Sequence, residues 1–199
     1  MNSKKSTLVL SKPLEGKREF IENYAKNAIK ENKSLLFVLT DKNPEQIKKE
    51  MLESKIFFKN FYFVDCFSQQ NSGTQKDDDN IKYVSGPLAL NEISIAISEF
   101  GRDFMKKEAD YEILFDSLST LLIYSNAEAI ARFLQVLISK VKQLNGGITF
   151  TLEEGMHDNK AIITLEHFMD SMVNVEKDGK KIIMNIKESG KPERSEEIK

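Results

Sequence analysis

Gly16 and Lys17 stand between a short apolar run and a stretch with helical periodicity. A phosphate-binding loop uses this arrangement, because the N–H groups at a helix start and a lysine ammonium together attract a phosphate. The full pattern is G-x-x-x-x-G-K-[ST], and here Ser11 replaces the first glycine and Arg18 the hydroxyl residue. The octet predicts either a vestigial phosphate loop, with Gly16, Lys17 and Arg18 as its binding residues, or an ordinary strand–turn–helix without a ligand.

The departures from that pattern all weaken a nucleotide site. Without a hydroxyl at position 18, magnesium loses a ligand beside the β and γ phosphates. Pro13 has no N–H to offer, and Glu15 brings negative charge close to the phosphates. Arg18 could partner a phosphate by charge and so replace the metal in part. We expect weak nucleotide binding or none, with ATP or ADP and magnesium as the candidate cofactors.

Two acids follow apolar runs and are candidates for catalytic or metal-binding roles. Asp116 ends the run that begins at Tyr111, and Asp41 follows the run that begins at Leu35. The carboxyl ends of parallel strands form the edge at which open α/β sheets bind ligands. Asp116 is therefore the predicted magnesium ligand, if magnesium binds.

The elements that would position these residues follow one another in an α/β order. Apolar runs predict strands near 7–11, 34–40, 61–67, 81–85, 111–117 and 148–152. Apolar residues at helical spacing predict helices near 16–32, 43–53, 88–107, 126–144 and 162–168. A hairpin is predicted for 172–186, around a turn at 177–180. The fold class is therefore α/β, with a mostly parallel central sheet, helices on both faces and a C-terminal antiparallel hairpin.

Five short sequence blocks, taken in their order along the chain, resemble those of the RecA-like ATPases of the KaiC type, and in particular of their archaeal members. The resemblance covers about Thr7 to Ser189 and rests on five blocks: Gly16-Lys17, the strand before Asn43-Pro44, Asp116-Ser-Leu-Ser, the strand after Gly146-Gly147, and the closing hairpin. It implies a three-layer RecA-like fold of the P-loop NTPase superfamily. It also implies one domain over residues 1–189, followed by a charged, disordered tail over 190–199.

Departures from the family bear on function. Where the family has two acids, one of which polarises the attacking water, this sequence has Asp41 and Lys42. The resemblance implies that Asp41 is a vestigial base; the alternative, which we favour, is an ordinary residue at a strand end. Lys187 matches a basic position that reaches a neighbour's active site in hexameric relatives, but taken alone it is expected to be a solvent-facing lysine of the hairpin. We expect the family's segment before the phosphate loop to be missing. Since a phosphoryl-transfer site depends on positioned charges, the resemblance implies a non-catalytic pseudo-ATPase.

Such a pseudo-ATPase would be a signalling or assembly module that acts through a protein partner. The partner would be a catalytic RecA-like relative or a second copy of this chain. The alternative is a slow magnesium-dependent ATPase that uses Lys17 and Asp116, with Arg18 and Asp41 replacing missing groups. Binding of nucleic acid by an oligomer is a third and weaker possibility.

Composition restricts the remaining classes of function. The 29 basic and 31 acidic residues give a net charge of −2, which argues against nucleic acid as the partner. No apolar stretch is long enough for a membrane helix, so we expect a cytoplasmic protein without a membrane partner. Cys66, the single cysteine, lies in an apolar run and is expected to be a buried, inert thiol.

Other polar residues give weaker signals. His157 and His167 have acidic neighbours but lack the close spacing of zinc-binding histidines. Ser117 and Ser119 have no histidine close by in sequence, so serine hydrolysis is not expected. The polar stretch 68–80, with three consecutive aspartates at 77–79, is typical of a mobile, solvated loop.

Overall fold

The computed structural model describes residues 5–57, 59–69, 75–179 and 181–198. Its strands are β1 (Ser6–Ser11), β2 (Ser34–Leu39), β3 (Phe61–Asp65), β4 (Ile81–Tyr83), β5 (Tyr111–Asp116), β6 (Gly147–Glu153), β7 (Ser171–Asp178), β8 (Lys181–Glu188) and β9 (Arg194–Ile198). Its helices are α1 (Lys17–Lys30), α2 (Pro44–Glu53), α3 (Leu90–Lys106), α4 (Leu118–Tyr124), α5 (Ala127–Gln143) and α6 (Asn159–Glu166).

The strands form one sheet in the order β4-β3-β2-β5-β6-β1-β7-β8-β9. The pairings from β4 across to β7 are parallel, and β7–β8 and β8–β9 are antiparallel. The predicted α/β class, with a mostly parallel sheet and a C-terminal antiparallel hairpin, is therefore confirmed. The carboxyl ends of β1 and β5 lie at the same edge of the sheet with β6 between them, so Lys17, which follows β1, lies near Asp116, which ends β5.

Helices cover both faces of the sheet. Every residue of β2 is buried, because alternate side chains enter two different hydrophobic clusters. Leu35, Phe37 and Leu39 pack with residues of α1 and α2. Leu36 and Val38 pack in the other cluster, with residues of α3, α4, α5 and α6. Burial of a strand on both faces explains its nearly continuous apolar sequence.

Local signals fix several helix ends. Asn43 and Gln46 form a capping box at the start of α2, and Pro44 occupies the first turn. Asn126 caps α5 by accepting a hydrogen bond from the N–H of Ala129 at 2.8 Å. Among the residues that the structure describes, no helix combines the length and apolar character needed to cross a membrane.

Three regions differ from the sequence expectations. The predicted frayed tail instead contributes β9, which pairs with β8 and is joined to it by Lys181–Glu197. Helix α4 was not predicted, because seven residues are too few for helical periodicity to stand out. In the polar stretch 68–80, residues 70–74 lie outside the described residues. At its end, Asp78 accepts hydrogen bonds from the N–H groups of Asn80 and Ile81.

Candidate functional site

The loop between β1 and α1 is a tight turn. The N–H of Glu15 donates to the carbonyl of Lys12 at 3.1 Å, so it is used inside the turn. Leu14 adopts a φ of 63°, and its side chain is fully exposed. Gly16 caps α1 with a φ of 78°, and a Cβ there would lie 2.7 Å from Val175 Cγ1. Glycine is required here for both its backbone angle and the close approach of β7.

Lys17 points from the first turn of α1 onto the sheet edge. Its Nζ lies 2.6 Å from Asp116 Oδ1 and 3.7 Å from Glu153 Oε1. Burial alone would lower the pKa of Lys17, but the attraction of Asp116, with contributions from Asp41 and Glu153, raises it above the ordinary lysine value. The lysine that would bind a phosphate is therefore held, fully charged, by carboxylates of its own chain.

Asp116 is almost completely buried at the end of β5, with 1% of its side chain exposed. Thr151 donates a hydrogen bond to Asp116 Oδ1 at 2.7 Å. Asp116 Oδ2 is buried and has no hydrogen-bond partner. A buried oxygen of this kind is costly unless a donor or a cation meets it, so it is a free acceptor within the site.

The backbone after Asp116 is fixed by neighbouring hydroxyls. The peptide bond between Asp116 and Ser117 is cis, and the N–H of Ser117 donates to Thr40 Oγ1 at 2.8 Å. The Ser119 hydroxyl accepts a hydrogen bond from the N–H of Glu153 at 2.8 Å. The backbone of Ser117 thus joins the end of β5 to the end of β2, and the Ser119 hydroxyl joins α4 to the end of β6.

Asp41 follows β2, at the same edge of the sheet. Partial burial and the negative charge of Asp116 raise the pKa of Asp41, while Lys17 and Lys42 oppose the shift. The Lys42 ammonium pairs with Glu50 at 2.9 Å. Lys17 therefore faces Asp116 and Glu153 directly and Asp41 at longer range, which gives these four groups a net negative charge.

Arg18 does not face this group. Its Nε pairs with Glu22 at 2.9 Å and its Nη2 with Glu53 at 3.2 Å, and the side chain is exposed. The arginine thus connects α1 to α2 on the outside of the molecule. Arg18 stands where the phosphate-loop pattern has a hydroxyl residue, and its guanidinium forms ion pairs with two glutamates.

The structure therefore brings together Gly16, Lys17, Asp41 and Asp116, and it directs Arg18 elsewhere. Sequence reasoning missed Glu153 and Thr151. A signal for Glu153 existed, since it is an acid directly after the predicted strand 148–152, just as Asp116 is the acid that ends the apolar run from Tyr111.

A magnesium–phosphate group fits these residues poorly. The unpartnered Asp116 Oδ2 could accept a cation, but the Lys17 ammonium already occupies the other side of the same carboxylate. The residue directly after Lys17 is Arg18, which has no hydroxyl, and the surrounding negative charge would repel a polyphosphate. Among the described residues, no group of three or more His, Cys, Asp or Glu side chains could hold a metal ion.

The remaining candidates from the sequence are Cys66, His157, His167 and Lys187, and each has a different environment. Burial raises the pKa of the Cys66 thiol, which agrees with the expected inert cysteine. His157 Nε2 is buried without a partner, and burial lowers the pKa of His157 against the opposing charges of Glu153 and Asp158. The His167 ring instead lies edge-on against Phe168. Lys187 is an exposed residue of β8.

Comparison with known proteins gives one family. No curated protein matches this sequence at a significant level. Residues 5–175 match a family of unknown function, DUF7504. That match begins just before β1 and ends within β7, so it includes every residue of the site at the sheet edge. The chain thus belongs to DUF7504, and Lys17, Asp41, Asp116 and Glu153 all lie in the part that defines the family.

Proposed function

We propose that this protein is a non-catalytic RecA/KaiC-like module, a pseudo-ATPase that acts through a protein partner. The observation that carries the proposal is the 2.6 Å ion pair between Lys17 and Asp116. Two residues that would serve a nucleotide and its magnesium neutralise one another instead. A ligand would have to break a buried ion pair before it could use either group.

The fold supports the RecA-like part of the proposal. A strand–loop–helix with Gly16-Lys17 lies in the same sheet as the strand that ends in Asp116, separated from it by β6 alone. This arrangement agrees with the resemblance to RecA-like ATPases. The three-layer assignment and the superfamily remain part of the proposal, as does the origin of the loop in a working phosphate site.

The charge at the site supports loss of catalysis. ATP brings several negative charges to a place where Asp116, Glu153 and Asp41 already outnumber Lys17. In a working site, fixed cations stabilise the charge that develops on the transferred phosphoryl group. Here Arg18 is turned away to Glu22 and Glu53, and Lys42 is paired with Glu50.

Exposed apolar residues support the role of a partner. Leu14 is fully exposed in the loop after β1, Tyr124 is 66% exposed at the end of α4, and Met156 is 45% exposed after β6. All three lie in segments that follow the carboxyl ends of β1, β5 and β6. These exposed apolar side chains would give a protein partner apolar contact area at this edge of the sheet.

The partner role is tested by comparing tagged wild-type protein with Leu14→Glu. We expect the wild type to retain a specific protein, or to form an oligomer by native mass spectrometry, and Leu14→Glu to lose it. The matched control is Leu52→Glu, which changes a 53% exposed leucine on α2 and should leave the interaction intact. A wild type that is monomeric and retains no partner would contradict the proposal.

A slow magnesium-dependent ATPase is the second candidate, and the unpartnered Asp116 Oδ2 favours it. It requires Lys17 to leave Asp116 when nucleotide and metal arrive. This candidate predicts ATP hydrolysis that both Lys17→Ala and Asp116→Asn abolish. Absence of hydrolysis in the wild type, or unchanged hydrolysis in both variants, would remove it.

A further inference from the structure

A groove runs between helices α3 and α5, on the face of the sheet opposite α1. Each of these helices leads into one of two neighbouring parallel strands, β5 and β6, so the helices lie side by side and point in the same direction. The groove has a volume of about 290 Å³ and is lined by Ile95, Ser98 and Arg102 of α3, by Lys140 and Gln143 of α5, and by Leu144.

Both walls of the groove expose apolar surface to solvent. Ile95 is 56% exposed, and Val136, which lies one turn before Lys140 on α5, is 53% exposed. Residues three or four positions apart share one face of a helix, so the apolar residue and the cation of each wall belong to one stripe. The two stripes are Ile95, Ser98 and Arg102 on α3, and Val136, Lys140 and Gln143 on α5.

The two cations of the groove have no carboxylate to pair with. Within the part of the chain that the structure describes, Arg102 forms no ion pair or hydrogen bond, and Lys140 donates a hydrogen bond at 3.0 Å to the hydroxyl of Ser94. None of the described residues that line the groove is acidic. The nearest acids along α3, Glu99 and Asp103, pair with other lysines at 2.7 and 3.4 Å. The groove is therefore positive, although the chain as a whole has a net charge of −2.

These features together select an acidic, apolar helix as the occupant. A groove between two packed helices has the shape that accepts a third helix, whose apolar face packs on the exposed side chains. The guanidinium of Arg102 and the ammonium of Lys140 are donors only, so they favour carboxylates and disfavour a basic segment. Both side chains are exposed, so a carboxylate can reach them without breaking an ion pair, which is not the case at Lys17.

We propose that the groove between α3 and α5 binds an acidic amphipathic helix of a partner protein. Apolar side chains of that helix pack on Ile95 and Val136, and its carboxylates pair with Arg102 and Lys140. Because Ile95 and Arg102 are about 10 Å apart along the axis of α3, the apolar and acidic residues of the partner are also about two turns apart. The two cations lie near the carboxyl ends of α3 and α5, which lead into the amino ends of β5 and β6. The inference therefore concerns a surface away from Lys17 and does not rest on the proposed function.

The test is a selection from a displayed library of stable helical peptides, randomised along one face, on the immobilised full chain. Peptides that also bind the double variant Arg102→Glu, Lys140→Glu are removed by counter-selection. We expect the enriched sequences to have a net negative charge and to carry Asp or Glu about two turns from an apolar residue. The proposal is overturned if no peptide is enriched, or if the enriched peptides are neutral or basic.

Fluorescence polarisation with the most enriched peptide then measures the contribution of the two cations. Arg102→Ala with Lys140→Ala changes exposed side chains only, and we expect it to raise the dissociation constant roughly tenfold, as the loss of two exposed ion pairs implies. The matched control is Lys26→Ala with Lys30→Ala, which removes two exposed lysines of α1 on the opposite face of the sheet and should bind as the wild type does. Unchanged binding by the first variant, or an equal loss in the control, would also overturn the proposal.

Discussion

The two ends of strands β1 and β6 carry polar groups of opposite character. At the carboxyl end, the charged Lys17 lies within 4 Å of both Asp116 and Glu153. At the amino end, Thr7, Thr149 and Ser171 are in register on β1, β6 and β7, neutral and buried. Lys17 and Glu153 keep 16% and 25% of their side chains exposed, whereas the hydroxyls are bonded to one another and to Tyr24 inside the sheet. The comparison teaches that polar groups of one sheet are satisfied by ion pairs at its exposed edge and by neutral hydrogen bonds in its interior.

The largest effect is expected from removing the Lys17 charge at the carboxyl end of the strands. Lys17→Met leaves the Asp116 carboxylate buried without its cation, at a cost of about 3 kcal/mol in the free energy of unfolding. Adding Asp116→Leu removes the uncompensated charge and should recover most of that loss. Urea unfolding of Lys17→Met, Asp116→Leu and the double variant measures the coupling free energy between the two side chains. Strictly additive costs would contradict a direct, stabilising ion pair.

The loop before Lys17 should be sensitive to one methyl group. Gly16→Ala brings a Cβ to 2.7 Å from Val175 Cγ1 at a φ of 78°. We expect a loss of about 2 kcal/mol, from the left-handed backbone and the clash together. Gly179→Ala is the matched control, because its φ is 61° and nothing lies within 4 Å. It should lose about 1 kcal/mol; equal losses at both positions would show that the loop is loosely packed against β7.

At the amino end, the cations around Glu188 on β8 should give a pH-dependent effect. Hydrogen bonds from Lys191 and Lys5, with Arg194, lower the pKa of Glu188 to about 2. Because this pKa is below that of the unfolded chain, the carboxylate stabilises the fold above the ordinary glutamate range. Glu188→Gln should therefore cost about 1 kcal/mol at pH 7, limited by solvent screening of the exposed cations.

The same stabilisation is lost as the pH falls through about 2, so wild type and Glu188→Gln should converge on acidification. Thermal unfolding across this range measures the difference. Lys181→Met, which removes the exposed pair with Glu197, serves as the control and should show a smaller effect at all pH values. A difference in stability between wild type and Glu188→Gln that does not change with pH would contradict an ionised Glu188 paired with these cations.

The smallest effect is expected at Asp41. Its pKa is raised in the folded state by partial burial and by Asp116, so its ionisation destabilises the fold as the pH rises through that pKa. Asp41→Asn should then stabilise the protein at pH 7 by about 0.5 kcal/mol, with the gain discounted for solvent exposure. The gain should disappear below the ordinary aspartate pKa. A loss of stability at pH 7 would mean that Asp41 is held by attractive contacts.

Much of the fold could be predicted, because local signals agree with tertiary burial. The apolar run of β2, the capping box at Asn43 and the apolar faces of α3 and α5 each report a short-range pattern. The tail is a counter-example. Strand β9 contains Arg194, Ser195 and two glutamates, and it forms because β8 offers an unpaired edge. A strand that forms because a neighbouring strand has a free edge need not show the apolar pattern by which strands are predicted from sequence.

The site could be predicted only in its parts. Lys17 and Asp116 were identified from motif position, and the structure brings them together. Their direct contact, and the participation of Glu153, depend on the distance between strand ends that are far apart in sequence. The polar row Thr7–Thr149–Ser171 is hidden for the same reason: isolated hydroxyls become a row only through strand register.

The central claim is that the ion pairs with Asp116 and Glu153 prevent Lys17 from binding a phosphate. Isothermal titration with ADP and ATP, with and without magnesium, tests it on wild type and Asp116→Asn. We predict little or no binding by the wild type. Asp116→Asn should bind ADP more tightly without magnesium, because Lys17 is released and one repelling charge is removed. Tight, magnesium-dependent ATP binding by the wild type that Asp116→Asn weakens would contradict the claim and establish a working nucleotide site.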